Sequence, residues 1–370
     1  MATYLFLIYI SIVVLVCIAI LFYTETPSKA LGYLLLVISF PVGGIIIYLS
    51  VGLNYRKREL YQKKLIIDEL EFPLLEQRIA DKSSETLLQY RDQIGHFYQM
   101  ASLSKSKNLI SGNNTVHLLI NGEQKFPDLL AALEQAQHHI HIEYYIFEND
   151  LIGNQLAQVL MTKARQGIQV RFIYDDYGCR GIRKNIVKQL RDAGVEVFPF
   201  YKIHLILLAN RLNYRNHRKI IVIDGITGYV GGINVADKYI NRPGDALFWR
   251  DTHLKITGAS VVNLQFVFLT DWNFCANQKI GYSIDYFPFH ADGKKYGDHL
   301  VQIVSSGPDS KYPKIKYSLI QSILMAKSEV CITTPYFIPD KSFLEAINIA
   351  ALSGTKIKAT VTRHFRLFYR

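Results

Sequence analysis

The sequence predicts a membrane helical hairpin followed by an α/β domain, a mostly parallel sheet flanked by helices, with a second, incomplete repeat. Three observations carry this. Two long stretches near the N-terminus carry no charge. The middle of the chain alternates β-branched strands with amphipathic helices. One such stretch then recurs towards the C-terminus.

The uncharged stretches are residues 3–23, "TYLFLIYISIVVLVCIAILFY", and residues 30–53, "ALGYLLLVISFPVGGIIIYLSVGL". Each is long enough for a helix to cross a hydrocarbon core of roughly 30 Å. Only "TETPSK" separates them, so residues 1–54 read as two transmembrane helices. Pro41 and the Gly43-Gly44 pair are expected to kink the second, which neighbouring helices tolerate in lipid. A cleaved leader fits poorly: there is no basic n-region, the apolar run is too long, and a second span follows at once. The basic run "YRKRELYQKK" belongs on the cytoplasmic side. A multi-pass protein of the cell membrane, with everything after residue 54 in the cytoplasm, is therefore expected.

The formal net charge of +11, with 24 Tyr and 20 Phe, favours an anionic partner. The apolar spans select a membrane surface over nucleic acid. Cys17, Cys179, Cys275 and Cys331 show no CxxC spacing and read as free thiols in a reducing compartment.

Residues 55–110, charged and rich in Leu and Gln, read as a helical connector. A strand in "NNTVHLLINGEQKF" meets an Asn-Gly reversal at 121–122, and "FPDLLAALEQAQ" has apolar residues at helical spacing. "HIHIEYYIF" reads as a strand, "NQLAQVLMTKARQG" as a helix ending at Gly167, and "IQVRFIYDD" as the next strand. That β-α-β-α-β alternation is the pattern of parallel strands under helices. The segment around Ala136, Asp150 and Gly167 recurs around Ala326, Asp340 and Gly354, so residues 111–275 read as a first repeat and 276–370 as a partial second.

The chemistry lies in "NHRKIIVIDGITGYVGGIN". His217, Lys219 and Asp224 form an H-x-K-x4-D pattern, and Gly231-Gly232-Ile233-Asn234 follows. Residues two apart on a strand share a face, so His217 and Lys219 are expected in one cleft. A neutral imidazole is a competent nucleophile, and a compact ammonium suits a phosphate oxygen. Asn234, after a glycine pair that admits close backbone approach, is expected to donate to the same phosphate. Asp224, at the far end of the strand, is expected to order its loop or a histidine more than to touch substrate.

These motifs, with "IHIEYYIF", "FWRDTHLKITG", "TPYFIPD" and the N-terminal spans, resemble the bacterial cardiolipin synthases of the phospholipase D superfamily. The resemblance runs to about residue 355. It implies a phospholipase D-like domain and phosphatidyl transfer, in which two phosphatidylglycerols become cardiolipin and glycerol through a phosphohistidine. His217, Lys219 and Asp224 take the catalytic positions, and Gly231, Gly232 and Asn234 the substrate-binding ones. It implies no cofactor and no metal, and the sequence offers no tight His/Asp/Glu ligand spacing.

Other residues carry weaker signals. His138, His139 and His141 look like a metal cluster but are expected on the surface or in packing. Glu143 reads as a structural ion-pair partner or a site residue, and Asp175 and Asp176 as site or turn residues. Arg250, Asp251 and His253 are expected to brace the sheet. Arg180, Arg183 and Lys184 form a basic rim that meets either headgroups or water.

The implied mechanism needs a second histidine. Fifty positions separate Gly167 from His217; fifty beyond Gly354 is 404, past residue 370. His364 and Arg366 give only an H-x-R, without the strand, aspartate or glycine pair. A truncated chain is the expectation. Three readings stay open: a cardiolipin synthase impaired by truncation, a homodimeric single-motif phosphodiesterase or phospholipase, and a non-catalytic membrane remnant.

Overall fold

The computed structural model describes residues 2–24, 27–49, 73–95, 109–200, 215–245, 247–281, 283–288, 294–307, 310 and 312–361. Helix α1 (Ala2–Tyr23) is apolar on every side; its window Phe6–Tyr23 has a mean hydropathy of 2.9 and is almost wholly unburied. A helix of that kind has lipid as its natural solvent.

The second apolar stretch is broken, which corrects the expected continuous span. Helix α2 (Pro27–Ser39) stops at Phe40 (φ −135°, ψ 72°), and α3 (Pro41–Ile47) restarts on Pro41. Proline suits a first helical turn because the N–H it lacks has no partner there. A Cβ on Gly44 would lie 2.6 Å from the Leu36 carbonyl oxygen, so glycine alone admits this fold-back. At about 1.5 Å per residue, α2 by itself falls short of the hydrocarbon core. Ile20, Ala30, Val37 and Tyr48 form the seam where these helices pack. Within the expected connector, α4 (Pro73–Gln89) packs Leu75 and Ile79 into the domain core. The basic run after the second stretch lies outside the described residues, as does His364.

The domain begins with β1 (Leu109–Ile120) and α5 (Asn121–Glu134), then β2 (His139–Tyr144), α6 (Leu151–Arg165) and β3 (Gln169–Tyr174). Next come α7 (Ile186–Asp192), β4 (Glu196–Pro199), β5 (Lys219–Ile223), β6 (Thr227–Gly231) and β7 (Thr252–Gly258). Helix α8 (Val261–Ala276) and β8 (His299–Ile303) complete one sheet of order β4-β3-β2-β5-β6-β7-β1-β8. Of the three strands in the alternating segment, β2 and β3 pair in parallel as expected and β4 joins them in parallel, but β1 lies far from them and pairs antiparallel with β7 and β8. Every pairing from β2 to β8 is antiparallel, so the mostly parallel sheet is corrected to a mixed one. The reason is connection length: β5 and β6 are joined by a tight turn, and a parallel pair needs a long crossover. Strand β8 pairs with β1, so the first unit extends past residue 275.

The Asn-Gly signal makes a strand-to-helix corner instead of a hairpin. Asn121 has φ 58°, and a Cβ on Gly122 would meet the Tyr239 carbonyl at 2.3 Å. Helices α5, α6 and α7 bury Leu129, Leu156 and Leu190 on one sheet face. Helix α8 covers the other with Phe268 and Trp272.

The repeat is real in three dimensions. Helix α9 (Lys314–Met325), β9 (Glu329–Thr334), α10 (Lys341–Leu352) and β10 (Lys356–Val361) restate the order of α5, β2, α6 and β3, with β9 and β10 parallel. Asp150 caps α6 by accepting from the Gly153 N–H, and Asp340 caps α10 by accepting from Phe343. Gly167 and Gly354 close the same helices at φ 87° and 92°.

Candidate active site

Strand β5 lies between β2 and β6, with Lys219 opposite Tyr144. The residues leading into it alternate in direction. Asn216 and Arg218 turn inward: Asn216 donates to the Glu143 carboxyl, and Arg218 pairs with the fully buried Asp271 on α8. His217 and Lys219 turn the other way. Lys219 Nζ donates to the His217 carbonyl at 2.8 Å and lies 3.3 Å from its Nδ1. The Tyr145 ring packs on His217 with centroids 4.4 Å apart, and Lys219 Nζ sits 5.2 Å from the same ring. The two side chains expected on one face do lie together, on an inner anchor that leaves His217 exposed.

Electrostatics sets the protonation of that pair. Burial, then the adjacent Lys219 ammonium, hold the His217 imidazole below its ordinary value, so it is neutral near pH 7. Burial pulls Lys219 down to about 8 against the opposing pull of Asp251, so it stays largely charged at that pH. On the inner side, burial first and the Asp271 carboxylate second push Glu143 well above the carboxylate range. Glu143 accepts from Asn216 and so braces the residue that precedes His217.

Asp224 stands apart from the pair, at the far end of β5. With φ 53°, its carboxylate accepts the backbone N–H groups of Gln137, His138 and His139, pinning the start of β2. Asn234 is also engaged: its oxygen accepts from Ile146 N–H at 3.2 Å and its amide donates to the Tyr239 hydroxyl at 2.8 Å. The glycine pair faces protein. A Cβ on Gly231 would lie 2.6 Å from His253 Nδ1, and one on Gly232 would lie 2.1 Å from Asp251 Oδ1. Their lack of side chains lets β7 bring Asp251 and His253 in behind Lys219.

That approach builds a buried polar floor. Lys125 donates to the Ile233 carbonyl at 3.1 Å and lies over the Phe126 and Tyr144 rings. Burial lowers Lys125 strongly, with Asp251 opposing. Burial also lowers His253, with Lys125 and Lys219 adding to it, and neither of its ring nitrogens has a hydrogen-bond partner among the described residues. Asp251 and Asn121 exchange backbone and side-chain hydrogen bonds, which is the bracing expected of that segment.

Lys125 and the rim residue Arg215 escaped the sequence reading. Arg215 stacks over the Tyr177 ring at 3.9 Å and donates to the Tyr145 hydroxyl at 3.1 Å, extending a cationic rim to Arg180, 5.5 Å from Tyr177. A lysine on an amphipathic helix and an arginine in a loop both read as surface charge, so no local signal marks them. Asp175 proves to be a turn residue, accepting from the Tyr177 and Gly178 N–H groups, and Asp176 pairs with Arg183. The histidine run is packing: His141 stacks on Phe268 at 4.6 Å, is bridged to Gln265 at 2.7 Å, and lies 3.2 Å from Arg171. Among the described residues no group of three or more His, Cys, Asp or Glu is placed to hold a metal ion.

Residues 129–262 match the family described as "Cardiolipin synthase, PLD-like domain". The chain is 40% identical to a cardiolipin synthase of Alkalihalophilus pseudofirmus over 94% of its own length and 69% of that protein's. It is 38% identical to cardiolipin synthase 2 of Bacillus anthracis over 90% of its length, spanning 64% of that relative. It is also 38% identical to the major cardiolipin synthase of Bacillus subtilis, covering 94% of this chain and 72% of that one.

Proposed function

This chain belongs to the cardiolipin synthases with a phospholipase D-like domain, and from that premise we propose that it transfers a phosphatidyl group between two phosphatidylglycerols. The observation that carries the reading is the neutral His217 imidazole beside the charged Lys219, on an anchor formed by Asn216 and Arg218. A ring nitrogen of His217 attacks phosphorus, and the bond to the glycerol headgroup oxygen breaks. That oxygen leaves with a proton, and the phosphatidyl group rests on His217. A glycerol hydroxyl of the second phosphatidylglycerol then gives up its proton and attacks the same phosphorus, forming cardiolipin and freeing the imidazole. Lys219, with the cationic rim of Arg215 and Arg180 at the mouth, offsets the phosphoryl charge.

The acid for the leaving glycerol is a second histidine. Among the described residues no other imidazole packs on His217. In this reading it comes from a second copy of the chain across a two-fold axis. The reaction runs at the cytoplasmic face of the cell membrane, with α1 and the broken α2–α3 segment holding the domain there.

Radiolabelled phosphatidylglycerol supplied to the full chain in vesicles tests this. Cardiolipin and an acid-labile phosphohistidine are expected, and both disappear in His217→Ala. A rate that falls on dilution assigns the second histidine to a second copy. Absence of both products in the parent chain sinks the proposal.

A further inference from the structure

Between β6 and β7 the chain runs out to a tip whose end carries Leu247, Phe248 and Trp249 in succession, exposed by 58%, 72% and 38%. Scattered surface hydrophobes are ordinary, but three consecutive large ones beside a cleft gain nothing from the fold that displays them. The tip is held in shape. Asn241 clamps both backbone groups of Trp249, accepting its N–H and donating to its carbonyl at 3.1 Å. Asp245 accepts the Arg242 N–H at 2.8 Å, closing the turn at Pro243-Gly244.

It is also tied to the site. The Trp249 ring meets Tyr239 edge-on at 4.9 Å, and the Tyr239 hydroxyl accepts from Asn234, just beyond the glycine pair. One residue past the tip, Arg250 donates to the Asp251 carbonyl and the Thr252 hydroxyl, where β7 begins its run behind Lys219. Arg242 and Arg250, both exposed, stand at the two ends of the tip.

We propose that the Leu247–Trp249 tip enters the headgroup–acyl boundary of an anionic bilayer and seats the catalytic cleft against the membrane. Apolar side chains enter such a boundary by about 5–10 Å, and a tryptophan ring prefers that depth. Arg250 complements anionic headgroups, while Arg242 is held by Asp237 at 3.2 Å. Helix α1 is long and apolar enough to cross a bilayer, which makes lipid the surface proposed to meet this tip. The purpose of the contact rests on the lipid substrate proposed above, but the contact itself can be read without any chemistry.

The chain has two tryptophans, and Trp272 is fully buried, so Trp249 is the reporter. The full chain is reconstituted in phosphatidylglycerol vesicles whose acyl chains are brominated near the headgroup. Quenching of tryptophan emission is expected, and Trp249→Phe is expected to abolish it. Emission that brominated lipid leaves unchanged overturns the proposal. The double variant Leu247→Asp, Phe248→Asp is expected to slow transfer from bilayer phosphatidylglycerol roughly tenfold, the worth of one apolar side chain partly withdrawn from lipid. Its rate on a soluble short-chain phosphatidylglycerol is expected to match the parent. An equal loss on both substrates, or none on either, also overturns it. If Trp249 is quenched and no lipid chemistry occurs, the proposed function falls and the membrane contact stands. If chemistry runs and Trp249 is unquenched, the contact alone falls.

Discussion

Strands β2 and β9 hold the same place in the two repeats, between matching helices and beside a parallel neighbour, yet their surroundings differ completely. All six residues of β2 are buried, whereas β9 alternates between exposed and half-buried. Strand β2 has β5 on its free edge and α8 across its face. Among the described residues β9 pairs only with β10, and an open apolar trough of about 1330 Å³, lined by Leu319, Ile332 and Tyr336, lies beside it. The α-β-α-β unit therefore folds from local signals. Its burial, and the reactive pair it supports, come from strands and a helix that follow it in the chain.

The sharpest way to break this contrast is to remove the group that β5 brings. His217→Ala is expected to cut transfer on the order of 10⁴-fold or more, as loss of a nucleophile does, while an exposed side chain costs little stability. A residual rate near that of the parent would move the chemistry out of the first repeat.

Burial can be compared directly at matched positions. Ile142→Ala in β2 empties a sealed core site and should cost about 2–5 kcal/mol. Its counterpart Ile332→Ala in β9, already half-exposed, should cost under ~1 kcal/mol. Chemical denaturation of both variants decides it, and equal losses would mean that β9 is covered as β2 is.

A smaller effect concerns pH. His217 must be neutral and Lys219 charged, so kcat/KM should rise through an acid limb below the ordinary imidazole range. It should fall again through a limb near 8, where Lys219 loses its proton. In Lys219→Arg the alkaline limb should vanish while the acid limb stays.

The least effect is expected at Glu143. Its folded-state pKa is raised, so its contribution is present below the unfolded carboxyl value and is lost as pH rises towards the folded one. Glu143→Gln removes that loss. The variant should match the parent in acid and become relatively more stable as pH climbs above the ordinary carboxyl range. Thermal melts from about pH 4 to about pH 8 check the sign.

Much of this could be read in advance where the signal is short-range. The capping aspartates Asp150 and Asp340, the closing glycines Gly167 and Gly354, and the same-face spacing of His217 and Lys219 depend on a few neighbouring residues. The sheet's direction could not be read, because parallel and antiparallel partners look alike until the connections are placed. Pro41 and the Gly43-Gly44 pair mark the place where the second apolar stretch breaks, but how far the chain folds back there is set by the contact of Gly44 with Leu36 and Val37. Gly231 and Gly232 were read as opening backbone to a phosphate; they open it to β7.

The apolar N-terminus, the recurring order of helix and strand, the spacing of His217 and Lys219 and the family are all legible in the sequence, since each is written in contiguous residues or fixed spacings. Tertiary structure alone decided what lies behind that pair. Glu143 meets Asp271 and, separately, Lys125 meets His253; each pair comes from different strands and helices, and only packing brings its members together. The dielectric that packing creates is what lowers both groups, His217 below the ordinary imidazole value and Lys219 to about 8.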